Sequence, residues 1–144
     1  LNENEPGYWF KRGNDLLNSG SYKEAVDCFD KAIQSNPGDA EAWNNRGIAL
    51  ANLSKLQDAV RSFQKAGTIN KSHPDARYNE GLILCRLERY EEAVGCFDKA
   101  IEINPQNAHA WHNKGVALKH LHLDAEARFA FSAAGWIGTG GGGF

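Results

Sequence analysis

Two short stretches decide the reading: AWNNRGIAL, Ala42–Leu50, and AWHNKGVAL, Ala110–Leu118. They stand 68 residues apart and share Ala, Trp, Asn, Gly, Ala and Leu in one order. Half that interval is the true period. Gly13, Gly47, Gly81 and Gly115 recur every 34 residues. So do Ala25, Ala59, Ala93 and Ala127, and Phe29, Phe63, Phe97 and Phe131. Two further series are Ala32, Ala66, Ala100, Ala134 and Leu16, Leu50, Leu84, Leu118. Four rounds without an insertion mark a repeat architecture, in which each unit buries its apolar face only against its neighbours. YKEAVDCFDKAI in round one and YEEAVGCFDKAI in round three point to duplication of a two-round unit.

A glycine inside a helix costs about 1 kcal/mol relative to alanine. Four at one register therefore require close approach of a partner helix, with the Ala and Phe series as the surface received there. Each round predicts two helices around a tight turn, such as Asn18–Ser21. Ser21 with Glu24, and Ser54 with Gln57, fit a capping box for the second helix. The closing NPGD (36–39) and NPQN (104–107) end one pair and open the next.

These residues resemble the tetratricopeptide repeat family, with its W-x2-L-G-x2-Y, A-x3-F, A and P pattern. Repeat one spans 6–39, repeat two 40–73, repeat three 74–107 and repeat four 108–141, all one solenoid domain. Residues 1–5 are a flank and 138–144 a flexible Gly-rich tail. The resemblance implies an all-α, right-handed solenoid of antiparallel helix pairs. The chain departs from the pattern where Arg77 replaces Trp and where Lys71 and Thr139 replace the closing Pro. Leu stands for Tyr in every repeat, and the residue before each glycine is charged: Arg12, Arg46, Glu80, Lys114. That charged row reads as a device for holding register across the stacking seams.

With about 100° per residue, repeat positions 4, 8 and 11 (Trp, Gly, Leu) fall on one arc of the first helix and face the core. Positions 2, 5, 6, 9, 12 and 13 lie opposite. In the family, that opposite face lines a concave binding groove. Its rows here include Asn45, Asn79 and Asn113 beside Ile48, Leu82 and Val116. A carboxamide offers donors and an acceptor to a peptide backbone, and the apolar row offers contact to side chains. The expected peptide-contacting residues are Lys11, Asn14, Asn45, Ile48, Tyr78, Asn79, Leu82, Arg86, His112, Asn113 and Val116. The resemblance thus implies an adaptor for an extended peptide or protein segment.

The family's grip on a terminal dicarboxylate is not expected. Its Lys-Asn-Asn-Lys-Arg positions are Phe10, Asn14, Asn45, Asp75 and Asn79 from repeat one, and Asn44, Ile48, Asn79, His109 and Asn113 from repeat two. The first register keeps both Asn and loses every cation. The alternative reading is a self-assembling scaffold. The last helix has no successor to cover Phe129, Trp136 or Ile137, and the tail ends in Phe144. An uncovered end invites head-to-tail stacking, or marks a fragment of a longer array.

No enzymatic activity, cofactor or metal is expected. No nucleophile has a neighbouring base, and no HExxH, GxGxxG or Walker pattern occurs. His109, His112 and His120 share the groove face, but His120 lies about 12 Å along the axis from His112, so they read as solvated. Cys28, Cys85 and Cys96 lack zinc-ligand spacing and read as free thiols. Sixteen Lys and Arg against 18 Asp and Glu give a net charge of −2, which offers no basic surface for nucleic acid. No apolar run approaches the roughly 20 residues of a membrane helix. The expected compartment is the cytoplasm. The chain starts at Leu1 and holds no Met, which reads as a fragment or processed product that could have lost a targeting segment.

Overall fold

The computed structural model describes residues 2–139, which carry eight α-helices and no strand. The helices are α1 (Tyr8–Asn18), α2 (Tyr22–Ser35), α3 (Ala40–Asn52), α4 (Leu56–Ile69), α5 (Ala76–Arg86), α6 (Tyr90–Ile103), α7 (Ala108–His120) and α8 (Asp124–Gly138). The chain divides into two compact units, Leu1–Ala76 and Arg77–Phe144. In the first, α1 packs on α2, α2 on α3 and α3 on α4, and α1 also meets α3. In the second, α6 packs on α7 and α7 on α8. The expected all-α fold of helix pairs is what forms. The Gly-rich segment 140–144, with Phe144, lies outside the described residues.

The glycine ladder has the expected cause. A Cβ built on Gly13, Gly47, Gly81 or Gly115 would stand 2.6–2.7 Å from Cε1 of Phe29, Phe63, Phe97 or Phe131, respectively. Each glycine is the seat of the phenylalanine sixteen residues later. Phe29, Phe63 and Phe97 are buried to 1% exposure or less, and Ala25, Ala59 and Ala93 are fully covered around them.

Each helix pair turns through one left-handed residue: Gly20 (φ 82°), Ser54 (59°), Glu88 (58°) and His122 (63°). Ser21, Lys55, Arg89 and Leu123 donate their backbone N–H groups to the carbonyls of Leu16, Leu50, Leu84 and Leu118 at 2.8–3.0 Å. Gly20, Ser54, Glu88 and His122 donate to the residue three earlier. This double closure is the Schellman arrangement. It overturns the expected capping boxes. Ser54 occupies the left-handed position, and Ser21 caps α2 without a side-chain bond. The N-cap residues of the second helices have ψ 65–70°, set by the turn, outside the extended region that a capping hydroxyl uses.

Side-chain caps belong to first helices instead. Asp39 Oδ1 accepts from Ala42 N, and Asn107 Oδ1 accepts from Ala110 N. At the same repeat position, His73 Nδ1 accepts from Asp75 N and Ala76 N at 3.2 and 3.1 Å. An accepting Nδ1 places the imidazole proton on Nε2. Nε2 is buried 2.6 Å from Glu41 Oε1, a close contact whose angle falls short of a hydrogen bond.

The departures at the end of repeat two and in repeat three form two coupled changes. Trp43 and Trp111 donate Nε1–H to the carbonyls of Pro37 and Pro105. Where Lys71 replaces that proline, Arg77 replaces the tryptophan. Arg46 and Lys114 lie over Trp43 and Trp111; in repeat three the pair becomes Arg77 with Glu80, 3.1 Å apart. Two members of the charged row, Arg46 and Lys114, hold seams, and their partners are acids of the preceding second helix, not members of the row. Arg46 meets Asp30 at 2.7 Å and Lys114 meets Asp98 at 2.7 Å. Burial, then the neighbouring Glu80 carboxylate, pushes the Cys96 thiol up to about 12. All three cysteines are free.

The last helix leaves Phe129 and Trp136 exposed, as expected. At the positions where α6 presents Val94, Asp98 and Ile101, α8 carries Arg128, Ser132 and Gly135. Val94 packs toward α7 and α8, and Asp98 pairs with Lys114 of α7. At these positions α8 is therefore polar or small. The exposed aromatics are elsewhere: Phe129 (68%) and Trp136 (52%) occupy the places of Gly95 and Glu102, both exposed in α6.

Candidate functional site

A cleft opens along first-helix residues in each unit. In the first unit, a cleft of about 600 Å³ is lined by four carboxamides, Asn14, Asn18, Asn45 and Asn52. Leu17, Tyr22 and Ile48 complete it. Asn45 Nδ2 donates to Asn14 Oδ1 at 2.8 Å, joining α3 to α1 across the floor. Asn52 Nδ2 turns back to the Ile48 carbonyl at 2.9 Å. Asn14, Asn45 and Ile48 are half-buried; Lys11 is exposed and outside the cleft lining. No ionisable acid or base borders this cleft apart from the phenol of Tyr22.

In the second unit, Asn113 Nδ2 donates to Tyr78 Oη at 3.1 Å and to the His109 carbonyl at 2.9 Å. The first bond ties α7 to α5, as Asn45 ties α3 to α1. Burial raises the Tyr78 phenol, and the bond from Asn113 opposes that rise. Asn79, Leu82 and Val116 are half-buried, while Arg86 and His112 are exposed. A cleft of about 740 Å³ at the end of this unit is lined by His112, His120 and His122, with Lys119 and Asp124. Val116 and Phe131 supply its apolar surface.

Of the residues expected at the site, Asn14, Asn45 and Ile48 meet in one cleft, and His112 and Val116 in the other. Tyr78 and Asn113 bond to each other. Position 5 serves packing as well as the groove. Phe10, Tyr78 and His112 lie against Phe29, Phe97 and Phe131 with ring centres 5.4–6.3 Å apart. Asn44, in the same row, is buried to 3%. Tyr22, Asp124 and Phe131 were not foreseen, because a helical-wheel reading of first helices alone omits the second helix and the turn. The charged row around the glycines pointed away from the groove, and Arg46 and Lys114 do engage the seams. Among the described residues no group of three or more His, Cys, Asp or Glu is placed to hold a metal ion. No helix there is long and apolar enough to cross a membrane.

Helix pairs on a 34-residue period, seated Gly-on-Phe, with polar groups gathered on the first-helix faces, define a repeat protein of the helix-pair class. Family models of the tetratricopeptide repeat match residues 10–74, 74–107 and 96–129. The chain belongs to the tetratricopeptide repeat family.

Solved structures agree. A crystal structure of MamA is 25% identical, with a TM-score of 0.91 over 94% of this chain and 80% of that one. YrrB, described as a TPR protein with an unusual peptide-binding site, is 26% identical, with a TM-score of 0.81 over 90% of this chain and 66% of that one. The first TPR of Spaghetti (RPAP3), bound to the HSP90 peptide SRMEEVD, is 24% identical. Its TM-score is 0.78 over 85% of this chain and 99% of that chain, and it is a likeness of fold. No curated protein matches the chain.

Proposed function

We propose that this chain is a protein-interaction module that takes an extended peptide segment of a partner on its first-helix faces. The carrying observation is the Asn14–Asn45 bridge in the first cleft. Its one bond uses the Asn14 oxygen and one Asn45 N–H. The Asn14 amino group and the Asn45 oxygen are left as a donor and an acceptor in the same cleft. A peptide unit in extended conformation presents the complementary acceptor and donor. Leu17, Ile48 and Tyr22 give its side chains apolar contact. The likeness to YrrB, a peptide-binding relative by description, supports the same reading. The uncharged lining does not suit a dicarboxylate terminus, which needs cations.

The test is capture on a peptide array by the whole chain and by Asn14→Ala/Asn45→Ala. Removing both partners leaves no orphaned carboxamide, so helicity by circular dichroism stays unchanged. Capture falls about tenfold or more, the equivalent of roughly 1.4 kcal/mol. Unchanged capture overturns the reading. Self-association through the C-terminal end is the competing reading, favoured by the exposure of Phe129 and Trp136. Light scattering on the same samples separates the two: a monomer at all concentrations removes it.

A further inference from the structure

The cleft at the end of the second unit breaks the repeat at four of its lining positions. His112 stands where earlier repeats have Phe10, Asn44 and Tyr78. Lys119 stands for Leu17, Ala51 and Cys85; His120 for Asn18, Asn52 and Arg86; His122 for Gly20, Ser54 and Glu88. The fold requires none of these replacements, since the other three repeats build the same helix pair and the same left-handed turn without them. The cleft of the first unit, which shares the positions of Val116 and His120 through Ile48 and Asn52, contains no ammonium and no imidazole. Four independent changes converging on one cavity call for a chemical reason.

The cavity has aromatic walls. The exposed His112 ring is tilted against Phe131 with centres 5.4 Å apart. His120 is stacked flat on Tyr90, 4.3 Å between centres and 3° between planes. That stacking fixes the imidazole as a plate beside the opening. Val116 adds apolar surface. The volume of about 740 Å³ is within the usual range for a small-molecule or side-chain pocket. Four N–H-bearing side chains, Lys119 and the three histidines, face a single carboxylate, Asp124. Flat π surfaces favour an aromatic guest, and an excess of N–H donors favours an acceptor-rich, anionic group beside it.

We propose that this cleft is a specificity pocket for an aromatic side chain adjoining a carboxylate, within the peptide that the module binds. This rests on the groove reading and assigns one anchor of its ligand. The aromatic ring enters between His112 and His120 over Val116, and the carboxylate meets Lys119.

Three small probes separate ring from charge: indole-3-acetate, indole-3-acetamide and tryptamine. Each is titrated into the full chain while amide and imidazole NMR signals are followed. Indole-3-acetate shifts the signals of His112, Val116 and His120 and binds about tenfold more tightly than tryptamine. Lys119→Glu reverses that order. His120→Ala weakens all three. Both residues are exposed, so circular dichroism of the variants matches the parent. Equal binding of the three probes, shifts that map elsewhere, or no shift overturns the proposal. The Asn14→Ala/Asn45→Ala capture test reads the other unit, so the failure of this pocket and the failure of the groove reading are distinguishable.

Discussion

The two clefts share the equivalent positions Ile48/Val116 and Asn52/His120, yet one lies between α1 and α3 and is lined by carboxamides, while the other lies on α7 and α8 and is lined by imidazoles, an ammonium and a carboxylate. The scaffold beneath them is nearly invariant. Gly47 receives Phe63 and Gly115 receives Phe131 with the same geometry. Asp39 and Asn107 cap α3 and α7 through the same bond. Trp43 and Trp111 hold the carbonyls of Pro37 and Pro105 alike. Packing constrains size and shape where Phe seats on Gly, so those two positions stay fixed in all four repeats. The first-helix face is less tightly constrained, and there the chemistry diverges. Binding specificity in a helical repeat is to be sought where the rounds differ, against a background where they agree.

The largest expected effect tests how rigid that background is. Gly47→Ala gains about 1 kcal/mol of helix propensity. Its new Cβ stands 2.6 Å from Cε1 of Phe63, which is 1% exposed and cannot retreat. Overpacking of a closed core costs about 1–3 kcal/mol; with Phe63 held on all sides the upper part of that range applies, and the chain loses up to about 2 kcal/mol net. Gly115→Ala meets Phe131 at 2.7 Å, but Phe131 is only half-buried and can give way. Its net effect is smaller. Urea denaturation of the two variants checks the order; equal losses refute the account.

Next in size is the cap at the close of the first unit. His73→Ala removes the acceptor for two backbone N–H groups and empties a site that is 2% exposed. The expected loss is about 1–2 kcal/mol, the upper range for a helix cap. Asn107→Ala removes one bond at a half-buried position and falls nearer 1 kcal/mol. His73→Asn, which restores the residue type of position 107, recovers most of the loss. Thermal melts of the three variants decide; no recovery in His73→Asn assigns the effect to lost volume instead of the cap.

Most of the architecture was legible because the period prints it four times. Gly13, Phe29 and their echoes state a contact between helices before any coordinate is seen. The turns were legible only in repeat one, where Gly20 advertises a left-handed residue. Ser54, Glu88 and His122 adopt that conformation against their own preference, forced by the Schellman bonds to Leu50, Leu84 and Leu118. His73 as a cap was hidden because histidine is not a capping residue by type; only the geometry of Nδ1 reveals it. In the site, the asparagine row was visible by helical spacing. Tyr22 and Phe131 were not, because their contribution depends on how the second helix leans over the first.

The smallest expected effect belongs to those same turns, and its sign is opposite. A non-glycine residue in the left-handed region costs about 1–2 kcal/mol locally. Glycine there removes the steric cost but adds freedom to the unfolded chain, which returns about 0.4–1 kcal/mol of the gain. Ser54→Gly is therefore mildly stabilising, by roughly 0.5–1 kcal/mol. His122→Gly gains the same backbone relief and also removes an imidazole from the second cleft. If the two substitutions raise the melting temperature alike while only His122→Gly weakens indole-3-acetate binding, the turn is common property of both units and the histidine serves the cleft. A fall in stability for His122→Gly alone gives that side chain a structural role and leaves the pocket to its other walls.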